Sequence, residues 1–382
     1  MEKNIRLFQP YIGNEELEQI KDSFDKRWIG LGNKVSILEE NFKEYFNEPD
    51  GECIALNSAT AALHLALNVY DFPKGSEVLV PNITFVSTSH AVLYNGLKPV
   101  FVDVEEDTFQ ISVSDLEKKI TDKTVAIIPV HFGGHYCDMD AIMKLAKSNK
   151  LKVIEDCANC LGGKYDNKYL GTIGDIGCFS FEEKKNMTSG DGGLIFTKDK
   201  SLVDKLNKLR WVGINKDTWK RIKSQNSKDE DPYHWYYEVD VLGYKYNMND
   251  LSACIAIEQL KKLDKMNNIR ENLISHYLKK LGKSEFYKPT FPYDLNNSGY
   301  WLFSLRVKDK NNLINHLKKK GIATGVHFMP NTLHPLYHEY DKNDTPISYN
   351  HWEEILTLPL HCYLENEDVD YIVTTIKSFY EN

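Results

Sequence analysis

The chain reads as an α/β protein, with a mostly parallel central sheet covered by helices on both faces and a smaller α+β unit at the C-terminal end. Three observations predict this. From residue 53 to about 200, short and nearly continuous apolar runs alternate with helical segments, the pattern of parallel strands buried on both faces. At 382 residues, 42% hydrophobic and 27% charged, the chain is long enough for two domains sharing a large core. Past residue 250 a long helical pattern (251–281) leads into a shorter mixture of strands and helices. We therefore divide the chain into a large domain, 1–250, which includes an N-terminal lead-in, and a small domain, 251–382.

The elements follow in order. Residues 14–24 have helical apolar spacing, and Trp28-Ile29-Gly30-Leu31-Gly32 is a loop punctuated by glycine. Residues 34–46 form an amphipathic helix through Ile37, Leu38, Phe42 and Tyr45. Strands are expected at 54–56, 78–80, 99–104, 125–130 and 152–155, with helices at 61–69, 87–94, 113–119 and 138–148 between them. Asp138 is the expected N-cap of the last of these helices. A hairpin follows, with strands 176–181 and 194–197, and then a helix at 202–209. Residues 216–232 are polar and lysine-rich and read as an exposed or mobile insertion. The small domain has strands at 301–307 and 324–327 and helices at 311–319 and 367–379.

Composition narrows the function. A net charge of −8 and a pI near 5.9 give no support to nucleic-acid binding, which needs a basic face. No apolar run approaches the roughly 20 residues of a membrane helix, and Met1-Glu2-Lys3-Asn4 runs straight into polar sequence without a signal peptide. The cysteines at 53, 137, 157, 160, 178, 254 and 362 are scattered among small and apolar neighbours, as reduced thiols are, so a cytoplasmic protein is expected. Cys157 and Cys160 form a lone CxxC with no second pair to complete a zinc site. His131 and His135 flank Gly133-Gly134 near Cys137 and Asp138; the glycines indicate a loop, and no metal site is expected.

In a parallel sheet ligands bind at the carboxyl ends of strands, which points to 57–60, 82–87, 156–159 and the turn after 181. That turn carries Lys184 and Lys185, followed by Asn186 and the glycine-rich Gly190-Asp191-Gly192-Gly193. The pair fits a solvated hairpin tip. It also fits a lysine held as an imine to a carbonyl cofactor, where a buried amine is part of the chemistry. Asp156 closes a strand, placed either to cap the next turn or to pair with a protonated ring nitrogen. Ser58, Ala59 and Thr60 open a helix, where free amides and hydroxyls either cap the helix or hold a phosphate, and Ser180 can add a hydroxyl. Phe85 is either core or a cover for a flat ligand. His327 and His334, on either side of Pro330, either line a pocket or serve the structure. Neither GxxxxGK[ST] nor GxGxxG is present, so NTP cleavage and dinucleotide binding lack motif support.

Taken together, Asn57-Ser58-Ala59-Thr60, Pro81-Asn82-Ile83-Thr84-Phe85, Glu155-Asp156-Cys157-Ala158, Gly174 to Phe181 with Lys185-Asn186, and Gly190-Asp191-Gly192-Gly193 resemble the DegT/StrS family. Its members are pyridoxal-phosphate sugar-nucleotide aminotransferases of fold type I, and the resemblance covers essentially the whole chain. It implies a cofactor-binding large domain in which Lys185 forms the Schiff base and Asp156 pairs with the pyridine nitrogen. It further implies that Phe85 stacks on the ring and that Ser58, Ala59, Thr60 and Ser180 bind the phosphate. Asn247 and Lys245 are implied to reach the phosphate from a second subunit, making a homodimer with shared active sites. The segment 243–248 resembles the version found in the 4-amino-arabinose-forming branch. Trp28, Gly30, His327 and His334 are the candidates for contact with substrate.

There are departures from the family pattern. Asn159 stands where Gln or His usually meets the ring hydroxyl, Arg210-Trp211-Val212-Gly213 replaces Arg-x-His-Gly, and Glu182-Glu183-Lys184 replaces the usual residues before the lysine. The function implied is transfer of the amino group of L-glutamate to a keto group of a nucleotide-linked keto-deoxy sugar, for surface polysaccharide biosynthesis. Two alternatives stay open: a small phosphorylated ketone as acceptor, and a non-catalytic cofactor-binding regulator. The related sugar dehydratases carry His at the lysine position, against which Lys185 argues.

Overall fold

A computed structural model describes residues 4–215, 235–295, 299–340 and 342–381. The insertion read at 216–232 lies outside the described residues. Strands β1 (Glu52–Leu56), β2 (Glu77–Pro81), β3 (Lys98–Val102), β4 (Thr124–Ile127) and β5 (Lys152–Asp156) come first. A short hairpin, β6 (Lys164–Tyr165) and β7 (Lys168–Tyr169), precedes β8 (Ile176–Ser180) and β9 (Gly193–Thr197). Among the described residues they make a seven-stranded sheet in the order β1-β9-β8-β5-β4-β2-β3, with β6 and β7 apart. All neighbours pair in parallel except β9, which runs antiparallel to both β8 and β1. The carboxyl ends of β1, β2, β4, β5 and β8 therefore share one edge of the sheet, and the start of β9 joins them there.

Side-chain alternation along the strands divides the interior into two layers. Ile54, Leu56, Ile176, Cys178 and Ile195 pack on one face, around the helix α3 (Ala59–Asn68), which follows α1 (Asn14–Asp25) and α2 (Asn33–Phe46) in the chain. Residues 61–67 of that helix are all buried, as expected for a helix apolar on every side. Cys53, Ala55, Phe179, Leu194 and Phe196 face the other way, toward the helix Asn33–Phe46 and the first half of the 32-residue helix Asp250–Leu281. The second half of this long helix, through Leu273, Ile274, Tyr277 and Leu281, packs with Ile5 against the small antiparallel sheet β10 (Tyr287–Pro289), β11 (Phe303–Val307) and β12 (Ile355–Leu358). The same helix thus builds both cores.

The strands expected at 99–104 and 125–130 end at Val102 and Ile127, and in the small domain one expected strand is shorter and one absent. The backbone of 299–301 leaves the β11 line to bond the glycine turn near 133, with Gly299 N–H donating to Gly134 O at 3.0 Å and Trp301 N–H to Gly133 O at 3.2 Å. Gly134 has φ +97, and a Cβ there would stand 2.7 Å from Tyr300 N, so only glycine admits this approach. Strand β11 accordingly starts at Phe303. Residues 324–327 pair only through Gly325 with Thr357, because the chain then turns toward the sheet edge.

Two buried asparagines fasten the lobes where that turn arrives. Asn82, after β2, bonds Thr332 and Thr345 through its side chain. Asn331 donates to the carbonyls of Asn82 and Thr84 and accepts from Ser89 Oγ. No helix among the described residues is long and apolar enough to cross a membrane.

Candidate active site

Along the sheet's carboxyl edge lies a cavity of 390 Å³, lined by residues from both lobes. Ser58, Ala59, Thr60, Phe85, Asp156, Asn159, Ser180, Lys185 and His327, all expected at the site, line it together. The register explains part of this convergence: Gly193 pairs with Leu56 on one side and with Ser180 on the other. A Cβ on Gly193 would meet the Ser58 carbonyl at 2.4 Å, so β9 can lie against the start of α3 only as glycine. Ser58 caps α3, its Oγ accepting from Ala61 N at 3.1 Å. Ala59 and Thr60, in the first turn, line the cavity; their amides have no acceptor within their own helix and stand at the positive end of the helix dipole.

Asp156, at the end of β5, is 4% exposed. Its Oδ2 accepts from Thr88 Oγ1 at 2.8 Å and its Oδ1 from Ala158 N at 3.1 Å. Burial raises its pKa above the usual carboxylate range, while the bonds from Thr88 and Ala158 and the charge of Lys185 act in the opposite direction. Lys185 is half-buried, and its Nζ donates to Asn159 Oδ1 at 2.9 Å. Burial lowers its pKa to about 8, against the pull of Glu182 and Asp156. Lys184, by contrast, is exposed at the rim, 3.9 Å from Glu182. His327 bonds Thr357 Oγ1 through Nδ1 at 2.9 Å and is held neutral by burial, with a pKa near 4.

Other expected residues lie elsewhere. Lys245 and Asn247 run beside the end of β1, where Asn247 bridges Leu56 and Lys245 Nζ donates to Asn247 Oδ1 at 2.9 Å. The Lys245 ammonium sits 3.4 Å from the centre of the Trp211 ring. Trp28 donates to Leu31 O at 3.2 Å, and Gly30 O accepts from Asp250 N at 2.8 Å. His334 follows the Asn331 turn without lining the cavity. The histidines at 131 and 135 are engaged by the protein. His131 Nδ1 accepts from Cys137 N at 3.2 Å, so its Nε2 carries the proton and donates to Glu155 Oε2 at 3.0 Å. His135 stacks on Phe291. Glu155 faces away from Asp156, and its carboxylate also accepts from the amides of Gly171, Ile173 and Gly174. His131, Glu155 and Cys157 form a buried cluster whose carboxylate is already saturated with donors.

Ser87, Thr88, Trp301 and Phe328 line the cavity without a role expected from the sequence, and Thr84 and Glu182, named there only within longer motifs, line it too. Thr88 has a sequence signal, in hindsight, as a hydroxyl in the first turn after a strand-end loop. Trp301 has none, because its place depends on the glycine turn near 133.

The arrangement fits pyridoxal phosphate. First-turn amides with Ser180 suit a phosphate, a buried carboxylate suits a ring nitrogen, and a lysine with a lowered pKa suits a carbonyl carbon. Phe85 is 56% exposed yet lines the cavity, as a ring waiting for a flat partner would be.

Comparison with known proteins agrees. The profile of the DegT/DnrJ/EryC1/StrS aminotransferase family matches residues 10–377. The spore coat polysaccharide biosynthesis protein SpsC of Bacillus subtilis is 36% identical over 96% of this chain and 95% of its own. The GDP-perosamine synthase of Escherichia coli O157:H7 is 36% identical over 100% of both chains. A provisionally assigned sugar aminotransferase from Streptococcus pneumoniae, solved in its PMP form, superposes with a TM-score of 0.91 at 30% identity, over 99% of each chain. Its PLP form superposes at 0.89. From the matched length and the site together, the chain belongs to the DegT/DnrJ/EryC1/StrS aminotransferase family, with fold type I architecture, and is a pyridoxal-phosphate-dependent aminotransferase.

Proposed function

We propose that the protein moves the amino group of L-glutamate to a keto group of a nucleotide-linked keto-deoxy sugar, in the biosynthesis of surface polysaccharide, and that it works as a homodimer. The observation that carries the chemistry is the convergence of Lys185, Asp156 and the amides of Ala59 and Thr60 on one cavity. The sugar-nucleotide acceptor draws its support from the relatives, one a GDP-perosamine synthase and one a spore coat polysaccharide protein.

Pyridoxal phosphate, when bound, supplies an electron-accepting ring and stores the amino group between the two halves of the reaction. The Ala59 and Thr60 amides, with Ser58 and Ser180, hold the phosphate. Asp156 keeps a proton on the ring nitrogen, and a cation there returns its carboxyl to the ionised form that burial disfavours. Phe85 covers one ring face, and Asn159 takes the ring hydroxyl. Lys185 Nζ is the base. It takes the proton from the α-carbon of the amino donor and gives it up on the cofactor side, and for the acceptor it runs the same transfer in reverse. A lowered pKa keeps part of this amine neutral near pH 8. His327 is the acceptor-side contact on this cavity. Asn247 and Lys245, outside the cavity of their own chain, serve a second copy's phosphate.

The test is a panel of keto-sugar nucleotides and small keto phosphates, each assayed with L-glutamate for release of 2-oxoglutarate. Amination of a nucleotide sugar is expected. Turnover confined to small keto phosphates would replace the acceptor class, and no 2-oxoglutarate with any of them would overturn the donor. Sedimentation at micromolar concentration is expected to give a dimer.

A further inference from the structure

Trp301 lies against the nitrogen that does the chemistry. Lys185 Nζ is 4.0 Å from the centre of the Trp301 ring. The indole N–H donates to the carbonyl of Lys184 at 3.0 Å, so one side chain touches both the reactive amine and the backbone next to it. The ring itself has little freedom. It is 4% exposed, stacks on Phe8 at 5.6 Å and 7° and on Phe328 at 6.0 Å and 16°, and meets His327 edge-on at 5.2 Å. It arrives there only because 299–301 is bonded to the glycine turn near 133.

A lysine acting as a proton carrier alternates between neutral amine and ammonium. In a buried site the ammonium is the costly form, and the groups that lessen its cost decide how readily the proton is taken up. Asn159 Oδ1 offers a single acceptor. The negative face of an indole, the strongest of the aromatic rings in this respect, supplies attraction without a second charge and without blocking the amine's lone pair when it is neutral. We propose that Trp301 acts in the reaction by receiving the Lys185 ammonium on its indole face each time that nitrogen holds the transferred proton, while its N–H fixes the Lys184–Lys185 peptide in place. This rests on the assignment of Lys185 as the base. No bond other than N–H and C–H changes: the proton leaves the donor's α-carbon, binds the Lys185 lone pair, and leaves it again.

The experiment compares wild type with Trp301→Phe and Trp301→Leu. In enzyme loaded with pyridoxamine phosphate, where Lys185 is a free amine, its titration is followed by ¹⁵N NMR, the signal being assigned by its loss in Lys185→Arg. Removing the ring face disfavours the ammonium, so Trp301→Leu is expected to lower the midpoint by about one pH unit, a tenfold change of the size a desolvated cation–π contact carries. Trp301→Phe is expected to lower it by roughly half as much. An unchanged or raised midpoint overturns the proposal, and if Trp301→Leu does not hold the cofactor, Trp301→Phe decides alone. Rapid mixing of the pyridoxal-phosphate holoenzymes with L-glutamate and its α-deuterated form gives a second readout. Trp301→Leu is expected to slow loss of the visible band about tenfold with a larger isotope effect. A slowed reaction with an unchanged isotope effect marks a merely structural tryptophan. Lys185→Ala is run alongside: if it reacts like wild type, the assignment of the base fails, a result distinct from any Trp301 outcome.

Discussion

Thr88 donates its hydroxyl to Asp156 Oδ2 at 2.8 Å, from the first turn of the helix Ser87–Tyr94 to the end of β5. Thr84 Oγ1 lies 2.8 Å from the same hydroxyl, and Ala158 N covers the other carboxylate oxygen. Each oxygen of a buried carboxylate thus has a donor, and these bonds favour the ionised form that burial opposes. Thr88→Val keeps the shape and removes the donor. The Asp156 pKa is expected to rise further, moving the acid limb of the kcat/KM profile to higher pH and lowering activity at neutral pH about tenfold, the worth of a hydrogen bond to a charged group. Thr88→Ser is expected to restore both. A profile identical to wild type for Thr88→Val would show that the hydroxyl does not act on Asp156.

The two adjacent lysines are expected to separate cleanly. Lys185 bonds Asn159 within the cavity, whereas Lys184 is exposed at its rim. Lys185→Ala is expected to abolish transamination and the cofactor's visible band, and Lys184→Ala to retain both. Absorption spectra of the two purified variants with added cofactor check this, and the opposite pattern reverses the assignment.

The lowered Lys185 pKa also has a consequence for stability. The folded value of about 8 lies below the ordinary lysine value of 10.5, so between these pH values the unfolded chain binds more protons than the folded one. Stability from this group therefore rises with pH across the window, and below pH 8 the partly desolvated ammonium is a net cost. In the cofactor-free chain, Lys185→Met is expected to stabilise by on the order of 2 kcal/mol at pH 7. That advantage should fade as pH approaches 10.5. Urea midpoints of both chains at pH 7 and above pH 10 measure it, and an advantage that grows with pH would contradict the assigned direction.

Asn331 is 0% exposed and joins the lobes through three side-chain hydrogen bonds, to Asn82 O, Thr84 O and Ser89 Oγ. Asn331→Leu takes this partner from the buried Thr84 O and Ser89 Oγ, while Asn82 O keeps the bond from the residue 331 backbone amide at 2.8 Å. A loss of about 3 kcal/mol is expected from chemical denaturation. Because the Asn331 turn adjoins His327 and Phe328, and Asn82 adjoins Thr84 and Phe85, the acceptor KM should rise more than the rate of the half-reaction with donor falls.

Much of the site was legible because strand ends are local. Asp156 closes an apolar run, Ser58-Ala59-Thr60 starts a helix, and the lysine turn separates two strands, so a parallel sheet had to bring them to one edge. The strand expected at 301–307 shows the opposite case. Trp301 has a strand-like sequence context, but pairing with Gly133 and Gly134 draws it off the sheet and into the cavity. A contact across some 170 residues leaves no mark on local pattern.

The sequence by itself determined the alternation that builds the sheet, the ends at which ligands gather, and the residue types able to hold a phosphate, a ring nitrogen and a carbonyl carbon. Each of these depends on a few consecutive residues. Only the tertiary structure decided which lysine turns into the cavity, what lowers its pKa, and that Thr88 and Trp301 stand beside the two groups assigned to the chemistry. Burial and charge proximity are properties of distant segments packed together, and no short stretch of chain encodes them alone.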